Sequence, residues 1–282
     1  MALYNLKEVL KDAFEKGYSV PGFNFYTYED AKAMVKGAEE LNSPIILMAS
    51  GSCIKHLGHD LAFEIVNVLA KRAKVPVVCH LDHADEMDSI YKAIKVGFTS
   101  VMYDGSILPV EENLKNTITV VNVAHAVGVS VEAEIGRVGK SEEGEDLHPE
   151  VLTEPEWAKN FTERSKVDAL AVAVGTCHAM QKQEANLQLD RAKEINNVVS
   201  IPLVLHGSSG VKNDDLKVLG SYGFAKVNIG TKLKTTYADG IKAECEKVPF
   251  KRAAVSILSK AGEKVTAVVQ EKIKLLGSEN KA

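Results

Sequence analysis

Two histidines flank an aspartate in HLDHADE, residues 80–86, directly after the apolar run VPVVC. Charge withdrawn from water costs several kcal/mol unless it is paired or bound to a metal, so ionisable residues at the end of a buried-type strand mark a site. Other apolar runs end in the same way: Asp104 after SVMY, Glu134 in SVEAEI, His178 after VGTC, His206 after PLVL and Asn228 in AKVNI. His83, His178 and His206 belong to three separate segments. Three neutral imidazoles suit a catalytic Zn²⁺ with positions open to substrate, whereas a structural zinc takes four closed ligands. A lone histidine at a strand end is an ordinary hydrogen-bonded residue; three at one rim with three carboxylates are not. His80 shares a face with Asp82 in an extended strand and reads as a supporting residue. His56, His59, His125 and His148 sit in helical or polar contexts and carry no assignment.

Two short turns, HGSSG at 206–210 and NIGT at 228–231, each lead into a helical pattern. Backbone N–H groups at a helix N-terminus bind phosphate, and barrel enzymes commonly build that site after their last two strands. Ordinary Ser and Thr capping explains either turn alone; the two together, beside a metal-type histidine, favour phosphate.

These residues need a scaffold that brings distant strand ends together. Eight apolar, β-branched runs (20–25, 43–49, 75–81, 99–105, 129–135, 168–174, 201–207 and 225–230) alternate with helical patterns at 28–42, 59–73, 86–97, 111–127, 155–166, 187–197, 212–221 and 231–247. Continuous apolar runs suit parallel strands covered on both faces, and strict alternation gives α/β architecture. The reading is a (β/α)₈ TIM barrel, one domain over 1–282, with a C-terminal helical extension over 250–276. A doubly wound open sheet is the alternative, weakened because no GxGxxG or Walker-type loop follows the first strand. The stretch GRVGKSEEGEDLHPEVL, 136–152, reads as one long irregular insertion, a length that in compact domains is usually functional or disordered.

Lys and Arg number 34 against 38 Asp and Glu, a net charge of −4. That balance offers no footprint for nucleic acid or an anionic membrane. Four scattered cysteines without a CxxC are expected to be reduced thiols. The first twenty residues lack a signal-peptide core, and no apolar run approaches the roughly 18 residues of a membrane helix. A cytoplasmic protein is expected.

In this order, VPGFN, HLDH, SVMYDGS, SVEAEIG, VGTCH, PLVLHGSSG, KVNIGT and GSENKA resemble the class II, metal-dependent ketose-bisphosphate aldolases over nearly the whole chain. The resemblance implies a lyase of carbohydrate metabolism. It would cleave a ketose 1,6-bisphosphate, of tagatose or fructose configuration, to dihydroxyacetone phosphate and glyceraldehyde 3-phosphate through a metal-stabilised ene-diolate. It implies His83, His178 and His206 as zinc ligands and Asp82 as the acid/base on the aldehyde oxygen. Asp104 and Glu134 match positions for a second divalent ion, with orientation of the first ligands as their other reading. Ala179, Gly207, Ser208, Ser209, Asn228, Ile229, Gly230 and Thr231 match the dihydroxyacetone phosphate pocket, where Na⁺ or K⁺ is a further candidate. Glu142 matches the loop glutamate that exchanges the proton at carbon 3; a solvated acidic loop is its plain alternative. A homodimer or larger homo-oligomer is implied.

The chain departs from the family pattern at several points. Ala179 stands where glycine is usual, Lys140 interrupts a double glycine, and Gly230 replaces the Asp or Asn of fructose-type members. GTxHxM at 175–180 leans to the tagatose type. No Pro-Arg pair precedes the last helix; Lys251 and Arg252, in KVPFKRAAV, are the nearest substitutes for the arginine that reaches the distal phosphate. A ketose 1-phosphate with a different distal group is therefore an alternative substrate. A catalytically idle phosphosugar-binding subunit is the other reading, and it would be favoured by loss of a zinc histidine, Asp82 or a phosphate turn. None is lost. A metal-dependent hydrolase is weaker, since PGFNF lacks the HxH that barrel hydrolases often carry on the first strand. A lysine Schiff base is also weaker, because Lys182 and Lys232 lie beyond their turns.

Overall fold

Eight of the apolar runs form the parallel strands expected of them: β1 Val20–Asn24, β2 Ile45–Ala49, β3 Val77–Ala84, β4 Ser100–Tyr103, β5 Ser130–Ile135, β6 Ala169–Val172, β7 Leu203–Leu205 and β8 Phe224–Ile229. Each pairs in parallel with its neighbour in sequence, and β8 pairs with β1 through Lys226↔Val20 to Ile229↔Phe23. Closure makes this a TIM barrel and removes the open-sheet alternative. The computed structural model describes residues 3–142, 145–148, 150–178, 180, 182–247 and 253–282, and the side chains at 140–142 and 145–148 lie outside that description.

The strands read as unbroken apolar runs because helices cover the outer face of the sheet and side chains fill the inside. IILMA of β2 is buried at every position. Outward residues such as Leu47, Val77 and Leu170 join the main core under the helices. A second cluster joins Val20, Ile46, Val78, Ala169 and Val204 to Leu6, Val9, Leu10 and Ala13 of the helix Leu6–Lys16. That helix plugs one mouth of the barrel. It starts at a capping box, in which the Asn5 side chain accepts from Glu8 N–H and Glu8 accepts from Asn5 N–H, and the sequence inventory of eight helices did not include it.

Three boundaries differ from expectation. The helix expected from residue 59 begins at Gly51 and continues through a kink at Gly58, whose φ of 77° a residue with a side chain rarely adopts. The long insertion is not irregular: Gly139–Glu142 and Glu145–His148 form an antiparallel hairpin, and its first strand also pairs in parallel with Cys177–His178. Paired backbone bonds between Arg137 and Val151, 2.8 and 2.9 Å, close the neck. The expected C-terminal extension is the helix Ala254–Leu276, packed on Tyr28–Glu40 so closely that a Cβ on Gly37 would lie 2.7 Å from Val269 Cγ1.

Candidate active site

Consecutive residues of a regular strand face opposite sides of the sheet, yet Asp82 and His83 both line one cavity of about 450 Å³ at the C-terminal end of the barrel. The reason is a break in the pleat. Pairing of β3 with β4 shifts register between Leu81 and Ala84, and His83 takes a φ of 51°. A left-handed backbone costs a residue with a Cβ about 1–3 kcal/mol, so packing and pairing around the site hold His83 there.

The three histidines meet as the sequence suggested. His83 Nδ1 donates to Asp104 Oδ2 at 2.7 Å, and His206 Nε2 donates to Glu132 Oε1 at 3.0 Å. These carboxylates fix both tautomers and leave His83 Nε2 and His206 Nδ1 as the lone-pair nitrogens. Those two nitrogens face each other at 2.7 Å. The His178 ring stands 5.1 Å from that of His83 and 5.9 Å from that of His206. His178 lies on the short strand that pairs with the hairpin.

Two lone pairs at that distance repel unless a proton or a cation lies between them. Burial alone would lower the pKa of His83, but Asp82, the hydrogen-bonded Asp104 and Glu134 overcome it and push the imidazole up to about 10. Burial, then His83 and His206, bring His178 down to about 3. Burial and the Asp104 charge push Glu134 up to about 8. Its Oε2 is buried without a hydrogen-bond partner among the described residues, 3.7 Å from His206 Nδ1. A crowd of carboxylates that draws a proton onto a histidine, beside an orphaned carboxylate oxygen, is a donor set short of one cation. It fits a divalent metal. Both oxygens of Asp104 are already engaged, one on His83 and the other on Ser106 N–H and Oγ–H, so in this arrangement Asp104 orients His83.

Asp82 is held by two amides: Asn24 Nδ2 donates to one oxygen at 2.8 Å and Asn228 Nδ2 to the other at 3.1 Å. Burial would raise its pKa, but His83 and Lys226 bring it down to about 2. The carboxylate is charged and ready to receive a proton.

The turns after β7 and β8 supply backbone and small side chains. Gly207 has a φ of 68°, and a Cβ there would lie 2.8 Å from the Cys177 carbonyl, so glycine is required on both counts. Gly207, Ser209, Asn228, Gly230 and Thr231 line the cavity. Ser208 and Ile229 do not. The Ser208 hydroxyl donates to the Asn228 carbonyl, the Ile229 side chain joins the sheet–helix core, and both border a neighbouring cavity. Ala179 and the Glu142 side chain, together with Lys251 and Arg252, lie outside the described residues.

Four residues escaped the sequence reading. Glu132 and Lys226 sit one layer below the cavity, with Lys226 Nζ 2.7 Å from Glu132 Oε2 and both side chains fully buried. Burial would raise the Glu132 carboxyl, yet Lys226 and His206 hold it well below the usual carboxylate range. The missed interior lysine does not revive a Schiff-base reading, because its amine is paired with Glu132 and does not line the cavity. His80 completes this layer, with Nδ1 2.8 Å from Ser100 Oγ and Nε2 3.4 Å from Lys226 Nζ. Asn24 and Arg137 line the cavity itself. Spacing could have found two of the four: Glu132 and Lys226 complete the polar pairs 132/134 and 226/228, two apart on one face of their strands, as His80 does with Asp82.

Known proteins resemble this chain over nearly its whole length. Residues 4–281 match the profile of the fructose-bisphosphate aldolase class-II family. A protein named sulfofructosephosphate aldolase, from Alkalicoccus urumqiensis, is 36% identical over 284 aligned residues, covering 100% of this chain and 99% of the relative. The crystal structure of the YdjI aldolase from Escherichia coli K12 superimposes with a TM-score of 0.86 at 32% identity, covering 99% of both chains. A structure from Coccidioides immitis, described as a candidate fructose-1,6-biphosphate aldolase, gives a TM-score of 0.89 at 27% identity, covering 98% of this chain and 97% of that one.

Proposed function

Because the chain belongs to the class II fructose-bisphosphate aldolase family, we propose that it is a zinc-dependent lyase that reversibly cleaves a ketose 1-phosphate, tagatose or fructose 1,6-bisphosphate among them, releasing dihydroxyacetone phosphate and an aldehyde. The observation that carries this reading is the 2.7 Å approach of His83 Nε2 to His206 Nδ1 beside the charged carboxylate of Asp82.

His83, His178 and His206 would hold the zinc, and Glu134, whose Oε2 lies 3.7 Å from His206 Nδ1, would offer a further oxygen. Zinc bound there would act as a Lewis acid on the substrate carbonyl, stabilising negative charge as it develops at carbon 2. Asp82 takes the proton from the hydroxyl at carbon 4, whose oxygen becomes the aldehyde. The bond between carbons 3 and 4 breaks, and its electron pair moves toward carbon 2 to give an ene-diolate. A proton delivered to carbon 3 completes dihydroxyacetone phosphate, and Glu142 on the hairpin is our candidate carrier. Asn24 and Asn228 keep Asp82 aimed and ionised. General-base help of this kind is worth a factor of about 10²–10⁴. The first turn of the helix Thr231–Cys245 and the Gly207–Ser209 turn offer N–H groups to the phosphate.

The substrate is a small phosphosugar. Among the described residues no helix is long and apolar enough to cross a membrane. The test is a cleavage assay on fructose and tagatose 1,6-bisphosphates that detects dihydroxyacetone phosphate, before and after chelation. Activity lost to chelator and restored by Zn²⁺ is the expected result; zinc-loaded protein that cleaves no ketose 1-phosphate would overturn the reading.

A further inference from the structure

Two cations line the reaction cavity without an ion-pair partner among the described residues: Lys234 and Arg137. They enter from different sides. Lys234 belongs to the first turn of the helix after β8, next to the turn that offers N–H groups to the C1 phosphate. Arg137 follows β5, three strands around the barrel from β8, with the histidine-bearing segments after β6 and β7 between them. One cation at the phosphate turn answers one phosphate. The second has no role in the mechanism above.

Arg137 is built to meet a ligand. Its backbone is pinned by the two bonds to Val151, so the base of the side chain is fixed although it lies at the foot of the hairpin. Its Nε is buried and has no hydrogen-bond partner among the described residues. Nε is thus closed to the cavity, and an anion there would meet the terminal nitrogens, which have no hydrogen bond or ion pair among the described residues. Asp82, Asp104 and Glu134 line the same cavity, yet none forms an ion pair with Arg137. A planar guanidinium presents parallel N–H donors that match the oxygens of phosphate or sulfonate.

We propose that Arg137 is the receptor for an oxyanion, phosphate or sulfonate, at the end of the ketose remote from its C1 phosphate. This inference rests on the aldolase reading and deepens it. The enzyme would select ketose 1-phosphates with a charged tail and read that tail from within its own chain, without the Pro-Arg element that the sequence lacks.

The test compares three tails on one ketose 1-phosphate: a free hydroxyl (fructose 1-phosphate), a phosphate (fructose 1,6-bisphosphate) and a sulfonate (6-deoxy-6-sulfofructose 1-phosphate), with the tagatose-configured set in parallel. The readout is the ratio of kcat/KM for a charged tail to that for the hydroxyl tail. We expect a large ratio in the native enzyme for at least one oxyanion, a fall of roughly 10- to 150-fold in that ratio for Arg137→Ala, and an intermediate value for Arg137→Lys, which keeps charge without the fork. Zinc content, measured on every variant, confirms that the metal site is intact. An unchanged ratio in Arg137→Ala, an equal loss on all three tails, or collapse of the ratio in Arg252→Gln instead would overturn the proposal while leaving the aldolase reading in place. A zinc-loaded native enzyme that cleaves none of the sugars would overturn both.

Discussion

Lys226 Nζ lies 2.7 Å from Glu132 Oε2 inside the barrel, and the other oxygen of Glu132 accepts from His206 Nε2 at 3.0 Å. A lysine, a carboxylate and a metal-type histidine thus form one line that ends at the cavity. The ion pair keeps Glu132 ionised where burial alone would protonate it, and the ionised carboxylate keeps the lone pair of His206 on Nδ1, facing His83. A partner of this kind behind a histidine ligand typically changes metal affinity by 10- to 100-fold, as a rough scale.

Glu132→Gln is therefore expected to weaken zinc binding by about that factor, read by competition with a calibrated chelator, while circular dichroism shows a folded barrel. Lys226→Met strands a buried carboxylate and is expected to cost about 3–5 kcal/mol of stability as well, read by urea denaturation. Native zinc affinity in both variants would remove the pair from the metal site.

Asp82→Ala is expected to retain zinc and to lose cleavage by about 10²–10⁴ in kcat. Asn24→Ala, which removes one of the two amides on that carboxylate, should fall between this variant and the native enzyme. Steady-state rates with zinc content measured on the same samples settle it, and native turnover in Asp82→Ala would mean that another group moves the proton.

His206→Ala removes one of the two facing nitrogens and is expected to yield protein without stoichiometric zinc, by elemental analysis, and without activity. Chelation of the native protein should reproduce the inactivity, and adding Zn²⁺ should reverse it only where His206 is present.

The thiols should divide by burial. Cys245 is exposed, whereas Cys53 and Cys79 are buried; burial pushes the Cys53 thiol up to about 12 and Cys79 well above its ordinary value. Thiolates are the reactive form, so a disulfide reagent at pH 8 should modify Cys245 promptly and the two buried thiols only after unfolding. Prompt modification of all four would contradict the packing of β3 against the helix Gly51–Arg72.

Much of this was legible in the residues. Apolar runs of parallel-sheet character located the eight barrel strands, and reading only their C-terminal ends collected Asp82, His83, Asp104, Glu134, His178, His206 and Asn228. His80 was legible beside Asp82, but the lower partners of the other two polar pairs were harder to see. Glu132 and Lys226 lie mid-strand, where charge is ordinarily excluded, and only three-dimensional closure shows that they neutralise each other. The hairpin strands at 139–142 and 145–148 were hidden because they are short and polar, lack alternation, and the first takes part of its pairing from Cys177–His178, far away in sequence. The register shift that lets Asp82 and His83 face the same way leaves no mark on residue type. The helix Leu6–Lys16 was absent from the inventory of helices, and its place under the barrel floor shows only in the packed structure.

The hairpin pairing has a practical side for anyone who would re-engineer substrate preference. Cys177–His178 is an edge of the hairpin's own sheet, so the loop an engineer would naturally randomise is stitched to a candidate zinc ligand. Library members that disturb the pairing with Cys177–His178 would carry altered metal occupancy along with any change in tail preference. A screen run in excess zinc would hide that linkage; one run at limiting zinc would sort the variants by it.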